Sequence, residues 1–340
     1  MKATKLKSGN YHVLVYCGKD SAGKEIRKSF TGPDKAKVLA DAAAWKNDHR
    51  VISGSSTSFS DAMDSFFRIR QTSLSPSTMR GYRAIETVLR QDHPAFCNSN
   101  CYNISAEDLQ RLIDAWIRSG SSPKTAKNRI GFITAVLGQK GIRCPVVRLP
   151  QVPVPDLNVP DSDIVRQTLQ AAKDYSLEMW ICVMLAATGP LRRGEISALT
   201  MDDIDFDNNV VHVHHSMVFG TDCKWHVKVP KTKTSDRYIV MPAAVIDAIK
   251  QQGYVTHWDP CSMYRRFGRM LKRNGIEAYR FHDLRHFCVS ELLGAGVEDI
   301  FITERTGHSS LGTMERYKHI LSNRRAEVNK RIMADFNSFS

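Results

Sequence analysis

Residues 179–199 have the sequence MWICVMLAATGPLRRGEISAL, in which nine apolar residues are followed by a helix break and then by charged residues. The apolar run is much shorter than the roughly 20 residues of a membrane-spanning helix, so it predicts a buried helix of a globular domain. Gly189 and Pro190 end this helix, and Arg192 begins a second one with Glu195 one turn along. Taken alone, the Arg192–Glu195 spacing is more typical of a simple intrahelical ion pair.

This stretch belongs to the largest piece of the chain, residues 160–340. We predict that the piece is helical apart from strands near residues 209–218, 224–229 and 237–241. The proline-rich residues 146–155 precede it and predict an extended, semi-rigid linker.

Two patches of this piece carry side chains suited to chemistry. Lys231 lies in the segment Pro230–Arg237 between two predicted strands, where a lysine at a hairpin tip ordinarily serves solubility. His282 and Arg285 are three residues apart, which places the imidazole and the guanidinium on one helix face.

A third patch lies near the end of the chain. Gly307 is a natural helix C-cap, His308 follows it, and Tyr317 comes nine residues later. A single tyrosine on an amphipathic helix ordinarily belongs to the core or its rim.

The combination of these residue types suits phosphoryl transfer from DNA without a metal ion. Arginine forks bind the non-bridging phosphate oxygens. A lysine can protonate the leaving 5′-oxygen, and a histidine can accept the tyrosine proton or donate to the phosphate. A phenolic oxygen can form a covalent phosphodiester link, so no external energy source is required. The sequence has neither a GxxxxGK[ST] nucleotide loop nor an HExxH zinc motif, and no pattern indicates an acidic magnesium triad. We therefore predict no cofactor.

Residues 60–140 predict four helices, and the last of them places cations near its start. The predicted helices are about Asp61–Arg70, Ser75 through Leu89, one from Ser105, and about Pro123–Leu137. The cations are Lys124, Lys127 and Arg129. Cations near a helix N-terminus suit a phosphate backbone, although a solvated helix face is an equally good interpretation for each of them.

The first part of the chain predicts a small β-sheet with one helix packed on it. Two strand patterns, Asn10–Cys17 and Glu25–Phe30, flank a glycine turn, and a helical pattern follows up to about Arg50. The polar face of this sheet is basic, which suits docking to DNA. The candidate contacts are Lys7, Arg27 and Lys28, and the serine-rich residues 53–60 indicate a hinge.

Charge also favours a nucleic-acid partner. The 340 residues include 48 Lys and Arg against 35 Asp and Glu, a net charge of +13. The apolar share of 42% is enough for sizeable cores, and the length suggests two or three domains. Because the lysine-rich N-terminus lacks the apolar stretch of a secretory signal, we expect a soluble cytoplasmic protein with no membrane segment.

The eight cysteines are too sparse for a disulfide scaffold and indicate reduced thiols. Cys97 and Cys101 with His93 suggest a zinc site, but no second cysteine pair follows at finger spacing. The sequence therefore predicts core and loop cysteines and no metal.

The motifs taken together resemble those of the tyrosine recombinases, or phage-type integrases, over essentially the whole chain. The matching positions are Arg192, Lys231, His282, Arg285, His308 and Tyr317. Two departures leave alternatives. Because Pro190 and Leu191 both separate Gly189 from the arginine, Arg193 is a rival to Arg192, although the R-x-x-E spacing selects Arg192. Lys228 and Lys233 are rivals to Lys231.

The resemblance implies a mainly α fold with small β-sheets and three domains. These are an N-terminal arm-type DNA-binding module at 1–52, a helical core-binding domain at 57–145 and an α+β catalytic domain at 156–340. It implies that Tyr317 is the nucleophile, that Lys231 is the general acid and that His282 assists as base. Arg192, Arg285 and His308 would stabilise the transition state.

The implied partners are double-stranded DNA at core and arm sites, three further protomers in a tetramer assembled on DNA, and an excisionase or DNA-bending host factor. A basic C-terminal helix with Arg324, Arg325, Lys330 and Arg331 is either exchanged between protomers or packed on its own domain. Two other functions stay open: a type IB topoisomerase that reseals the same strand, and a DNA-binding regulator on a decayed recombinase scaffold.

Overall fold

A computed structural model describes residues 2–19, 25–48, 57–153, 159–229 and 235–307 of the chain. The chain divides into two compact units, Met1–Pro153 and Val154–Ser340. The first unit contains a small sheet and a set of helices, and the second is mainly helical with small sheets. Within the described ranges, no helix is long and apolar enough to cross a membrane.

The first unit begins with the predicted sheet and helix. Strands β1 (Thr4–Lys5), β2 (Tyr11–Lys19) and β3 (Glu25–Gly32) form an antiparallel sheet in that order, followed by helix α1 (Lys35–Asp48). Val13 and Val15, alternate residues of β2, pack with Val38 and Ala42 of α1 in a small core. Strand β1 is not predicted by the sequence, because its two exposed residues show no apolar alternation.

Four long helices and one short helix follow, and the four long ones confirm the prediction. They are α2 (Phe59–Arg70), α3 (Pro76–Asp92), the short α4 (Pro94–Cys97), α5 (Ala106–Arg118) and α6 (Pro123–Gln139). Each long helix follows a serine whose hydroxyl accepts a first-turn N–H, namely Ser58, Ser75, Ser105 and Ser122. Helix α2 starts two residues earlier than predicted because Ser58 is its N-cap.

The cysteine–histidine group considered for zinc lies in this helical part. Cys97 and Cys101 are buried in its hydrophobic core, and burial raises the pKa of both thiols. His93 Nε2 accepts a hydrogen bond from the indole N–H of Trp116 at 2.8 Å. All three side chains therefore contribute to packing.

The second unit has seven helices and five strands among its described residues. The helices are α7 (Ser162–Tyr175), α8 (Leu177–Thr188), α9 (Arg193–Ile196), α10 (Ala243–Gln252), α11 (Pro260–Arg273), α12 (Asp283–Gly294) and α13 (Asp299–Thr306). The strands are β4 (Ile204–Asp205), β5 (Val210–Val213), β6 (Ser216–Phe219), β7 (Trp225–Lys228) and β8 (Arg237–Val240). Helix α8 contains the apolar run and is the centre of the core, contacting α7, α10 and α12.

The strands correct two predictions. The single strand predicted at 209–218 is two strands: β5 pairs with β4 and β8, whereas β6 pairs with β7 in a separate two-stranded sheet. The reason is burial, because Val211 and Val213 of β5 enter the core while every residue of β6 is only half-buried. In the described part of the chain β7 and β8, which flank the predicted hairpin tip with Lys231, pair with strands of different sheets and not with each other.

Candidate active site

Arg192 is presented by the tight turn between α8 and α9. A Cβ at Gly189 would lie 2.9 Å from the carbonyl oxygen of Leu185 and 2.8 Å from the sulfur of Met241. Both distances are too short for a side chain, so the conformation of this turn requires glycine at position 189. Arg192 is the residue before α9, and its N–H donates to the carboxylate of Glu195 at 2.9 Å. The predicted start of a helix at this position is confirmed.

Glu195 is a buried carboxylate shared between two guanidinium groups. One oxygen lies 2.6 Å from Arg192 Nη1, and the other lies 2.9 Å from Arg237 Nη2. Burial alone would raise the pKa of Glu195, but the two arginines hold it below its ordinary value. Glu195 is therefore ionised at neutral pH and fixes the orientation of Arg192.

Arg237 connects this carboxylate to the end of α13. Its side chain is only 3% exposed, and its Nε donates to the carbonyl of Arg305 at 2.9 Å. Arg305 in turn donates to the carbonyls of Thr188 and Val240 at 2.9 and 3.0 Å. These contacts attach the C-terminal end of α13 to both α8 and β8.

Arg285 lies in the first turn of α12 and is 1% exposed. Its guanidinium donates to the carbonyl of Pro190, in the turn before Arg192, and to the carbonyl of Thr306 at 2.7 Å. Arg285 thus joins the Arg192 turn to the last residue of α13.

His282 lies at the N-cap of α12, one turn before Arg285, and its ring is 5.0 Å from the ring of His286. Burial, with electrostatic repulsion from His286, Arg285 and Arg192 as lesser causes, lowers the pKa of His282 to about 4. The imidazole is therefore neutral at neutral pH and has a free lone pair on one nitrogen.

Helix α13 ends at Gly307, the predicted C-cap, and this end lies beside Arg192. Gly307 has a left-handed φ of 65°, and its N–H donates to the carbonyl of Thr303 at 2.9 Å. The carbonyl of Gly307 accepts a hydrogen bond from Arg192 Nη2 at 3.4 Å. Gly307 is the last described residue, and His308 follows it directly in the sequence.

The structure separates Arg192 from its rival. Arg193 points to α11, where it donates to the carbonyl of Pro260 at 3.1 Å and lies 5.0 Å from the ring of Tyr264. The positive charge of Arg192, by contrast, helps to lower the pKa of His282, and its Nη2 donates to the carbonyl of Gly307.

Three of the six predicted residues come together within the described ranges: Arg192, His282 and Arg285. Lys231, His308 and Tyr317 lie outside those ranges, as do the rival Lys233 and the basic residues Arg324, Arg325, Lys330 and Arg331. The other rival, Lys228, is the last residue of β7 and is half-buried.

The sequence did not predict that Arg237 pairs with Glu195 or that Arg305 attaches the end of α13 to α8 and β8. Arg237 is the last residue of the segment Pro230–Arg237 that the sequence already singles out, so a local signal for it exists. Arg305 has none, because it hydrogen-bonds main-chain carbonyls that are 65 and 117 residues away in sequence.

The model of the phage integrase family matches residues 160–324, which include helices α7 to α13 and the site residues described above. These residues belong to the phage integrase family of tyrosine recombinases. The protein is a tyrosine-type site-specific recombinase, an enzyme that transfers DNA strands.

The chain is similar to known proteins along most of its length. A "Tyrosine recombinase XerC-like" protein of Caldanaerobacter subterraneus subsp. tengcongensis is 24% identical, over 94% of this chain and 95% of the relative. The Tn1549 transposon integrase, solved with transposon right end DNA, is 20% identical with a TM-score of 0.66, over 81% of this chain and 99% of that one. A lambda integrase, solved as a tetramer bound to a Holliday junction, is 16% identical with a TM-score of 0.55, over 91% of this chain and 92% of that one. These structural likenesses show that the recombinase shares their fold.

The two neighbouring basic candidates of the N-terminal sheet lie on opposite faces. Arg27 is paired with Tyr16 on the face away from α1, and its guanidinium is 5.7 Å from the tyrosine ring. Lys28 is paired with the buried Val15 on the α1 side, and its ammonium is 5.7 Å from the ring of Trp45. Lys7, the third candidate, is exposed in the turn between β1 and β2.

Two of the three candidate cations of α6 line a groove between α3 and α6. The groove has a volume of about 660 Å³ and is lined by Tyr82, Ile85, Lys127 and Arg129, among others. Arg129 is half-buried and donates to Ser121 at 3.2 Å, whereas Lys127 is exposed. Lys124 is exposed but does not line the groove.

Proposed function

We propose that this recombinase integrates a mobile DNA element and, with a helper protein, excises it, through a 3′-phosphotyrosine intermediate and a Holliday junction. The supporting observation is the convergence of Arg192, His282 and Arg285 at the end of α13, directly before His308. A neutral imidazole near two guanidinium groups suits a reaction that moves a proton beside a phosphate.

In the proposed first step the phenolic oxygen of Tyr317 attacks the scissile phosphate. The new tyrosyl O–P bond forms while the bond from phosphorus to the 5′-oxygen breaks. The phenolic proton goes to His282, which is neutral and can accept it. Lys231 protonates the leaving 5′-oxygen. The free 5′-hydroxyl of the partner strand then attacks the phosphotyrosine: its O–P bond forms as the tyrosyl O–P bond breaks, Lys231 takes the hydroxyl proton and His282 returns a proton to Tyr317. The first of two such rounds produces the Holliday junction and the second resolves it.

Three residues stabilise the pentacovalent transition state in this proposal: Arg192, Arg285 and His308. Glu195 neutralises only one of the two guanidiniums that it contacts, so the Arg192–Glu195–Arg237 group retains one positive charge for a phosphate. No step requires a metal ion or nucleotide.

We further propose that residues 57–145 and 156–340 bind the core site and that residues 1–52 bind an arm site. The exposed face of β2 and β3 with Arg27, and the groove edge with Lys127, are the surfaces of suitable charge. Lys7, Lys28, Lys124 and Arg129 are the further candidate DNA contacts. By analogy with the lambda integrase tetramer on a Holliday junction, four protomers assemble on the DNA in the cytoplasm, assisted by an excisionase or a DNA-bending host factor.

The test is a suicide substrate, a nicked duplex that carries an end of the element, incubated with EDTA and analysed on a denaturing gel. We expect a covalent protein–DNA band with the wild type and none with Tyr317→Phe, which removes only the nucleophilic oxygen. Tight DNA binding without a band would contradict the mechanism and favour the regulator. A band followed by resealing of the same strand, without exchange to a second duplex, would favour the topoisomerase.

A further inference from the structure

A second cluster of chemically active side chains lies at one edge of the sheet β4–β5–β8. Asp203 ends a short 3-10 turn before β4, His212 is in β5, and His214 directly follows β5. One donor atom from each residue lies within 4.8 Å of the other two. None of these residues belongs to the proposed phosphoryl-transfer site, so the cluster is independent of that reaction.

The carboxylate of Asp203 is held in place by the turn that it caps. Its Oδ2 accepts hydrogen bonds from the N–H and the hydroxyl of Thr200 at 2.8 and 3.0 Å. Its Oδ1 is directed to His214 Nε2, 2.7 Å away. The side chain is only 7% exposed, so this oxygen is a preoriented anionic donor in a largely dry position.

The two imidazoles are oriented by their neighbours as well. His212 stacks on the ring of Tyr238 at 4.1 Å and 8°, and its Nε2 lies 2.7 Å from the carboxylate of Asp236. His214 packs against the ring of His215 at 4.0 Å. Because His212 and His214 are two residues apart at a strand, they are on the same side of it.

We propose that Asp203, His212 and His214 bind a first-row transition-metal ion of the zinc class. Two imidazoles and one carboxylate suit Zn²⁺ and Co²⁺, whereas Mg²⁺ and Ca²⁺ prefer an all-oxygen set. When His214 carries its hydrogen on Nδ1, the lone pair of Nε2 faces the ion beside the Asp203 oxygen. Asp236, hydrogen-bonded to His212, acts as the outer carboxylate that orients a ligating histidine.

The ion would join three segments of the second unit. These are the turn before β4, strand β5, and the position at which the chain leaves β5 for the separate hairpin of β6 and β7. Binding to the folded state alone raises stability, so the ion stabilises this edge of the sheet.

The test uses the full chain without an affinity tag, freed of metal with a chelator. We expect calorimetric titration to show one Zn²⁺ bound per chain, and Co²⁺ to give a visible ligand-field spectrum. His214→Ala and Asp203→Asn should each weaken binding by at least about tenfold. His226→Ala is the matched control, since His226 also pairs with a carboxylate, that of Asp222 at 2.8 Å, but belongs to no donor cluster found in the described ranges.

Unfolding curves recorded without metal show whether each variant is folded, and only folded variants are compared. The proposal is overturned when the wild type binds no Zn²⁺. It is equally overturned when the double variant His212→Ala/His214→Ala binds as tightly as the wild type, because the ion is then held elsewhere, for instance by cysteine thiolates. Loss of binding in His226→Ala to the same degree would also overturn it.

Discussion

The carboxylate of Glu195 contacts Arg192 and Arg237 at 2.6 and 2.9 Å, and neither the carboxylate nor the Arg237 side chain is more than 6% exposed. In such a position an unpaired charge is costly, because water does not replace the lost partner. The Glu195–Arg237 pair also connects the turn that holds Arg192 to the end of the segment Pro230–Arg237. A single carboxylate therefore serves both the stability of the second unit and the orientation of Arg192.

We expect Glu195→Gln to lower the free energy of unfolding by about 3–5 kcal/mol, because it leaves Arg237 charged and buried without a counter-ion. Urea unfolding of the full chain measures this. The matched control is Asp163→Asn, which breaks the pair with Arg166, where both side chains are 76% exposed. That change should alter the free energy by no more than about 1 kcal/mol. Equal effects of the two substitutions would contradict the role given to burial.

His282 predicts a pH dependence of stability. Its pKa in the folded protein is about 4, below the ordinary value of 6.5, so the unfolded chain binds the proton first as the pH falls. Stability is therefore fully present above the ordinary value and declines as the pH falls from 6.5 towards 4. Unfolding of wild type and His282→Asn at about pH 7 and about pH 5 should show a smaller decline in the variant. An equal decline would mean that His282 is protonated in the folded state.

The turn between α8 and α9 is the element that positions the first arginine. Its geometry depends on the absence of a side chain at Gly189, where a Cβ would approach a backbone oxygen to 2.9 Å. The turn is also tied to α12, because the carbonyl of Pro190 accepts from Arg285. Any displacement of the turn therefore moves two of the three described site residues.

Gly189→Ala should destabilise the protein by about 1–3 kcal/mol through overpacking and reduce formation of the covalent DNA complex. Gly131→Ala is the control: this glycine lies within α6, and a Cβ there meets nothing within 4 Å. It should stabilise the protein by about 0.5–1 kcal/mol, since alanine restricts the unfolded chain and favours a helix. Unfolding midpoints and the suicide-substrate assay measure the two effects. If Gly189→Ala left both the unfolding midpoint and the yield of covalent complex unchanged, the turn would accommodate the added methyl group without loss of stability.

In the whole molecule, separate hydrophobic cores belong to the two units. One core includes α8 and the sheet β4–β5–β8, and another includes the four long helices of the first unit. Because each unit has its own core, each should unfold as a cooperative body.

Calorimetry of the full chain should accordingly resolve more than one transition, and a fragment of residues 1–153 should reproduce part of the profile. The fragment's far-ultraviolet dichroism provides the control for folding. A single transition for the full chain, together with an unfolded fragment, would show that the units are stable only together.

Local patterns account for the elements and for the identity of the site residues. Serine caps, the apolar run of α8 and the glycine after α13 act within one helical turn, so they are present in any short window of sequence. The motifs around Arg192, His282 and Arg285 are equally local.

Packing alone determined how these residues are held. Glu195 meets Arg237 across 42 positions, Arg285 meets the carbonyl of Pro190 across 95, and β5 and β6 separate into different sheets although only two residues divide them. Such contacts depend on which element faces which in the folded core. A local window of sequence contains only one side of each contact, and the free energy that selects it is gained when both sides are buried together.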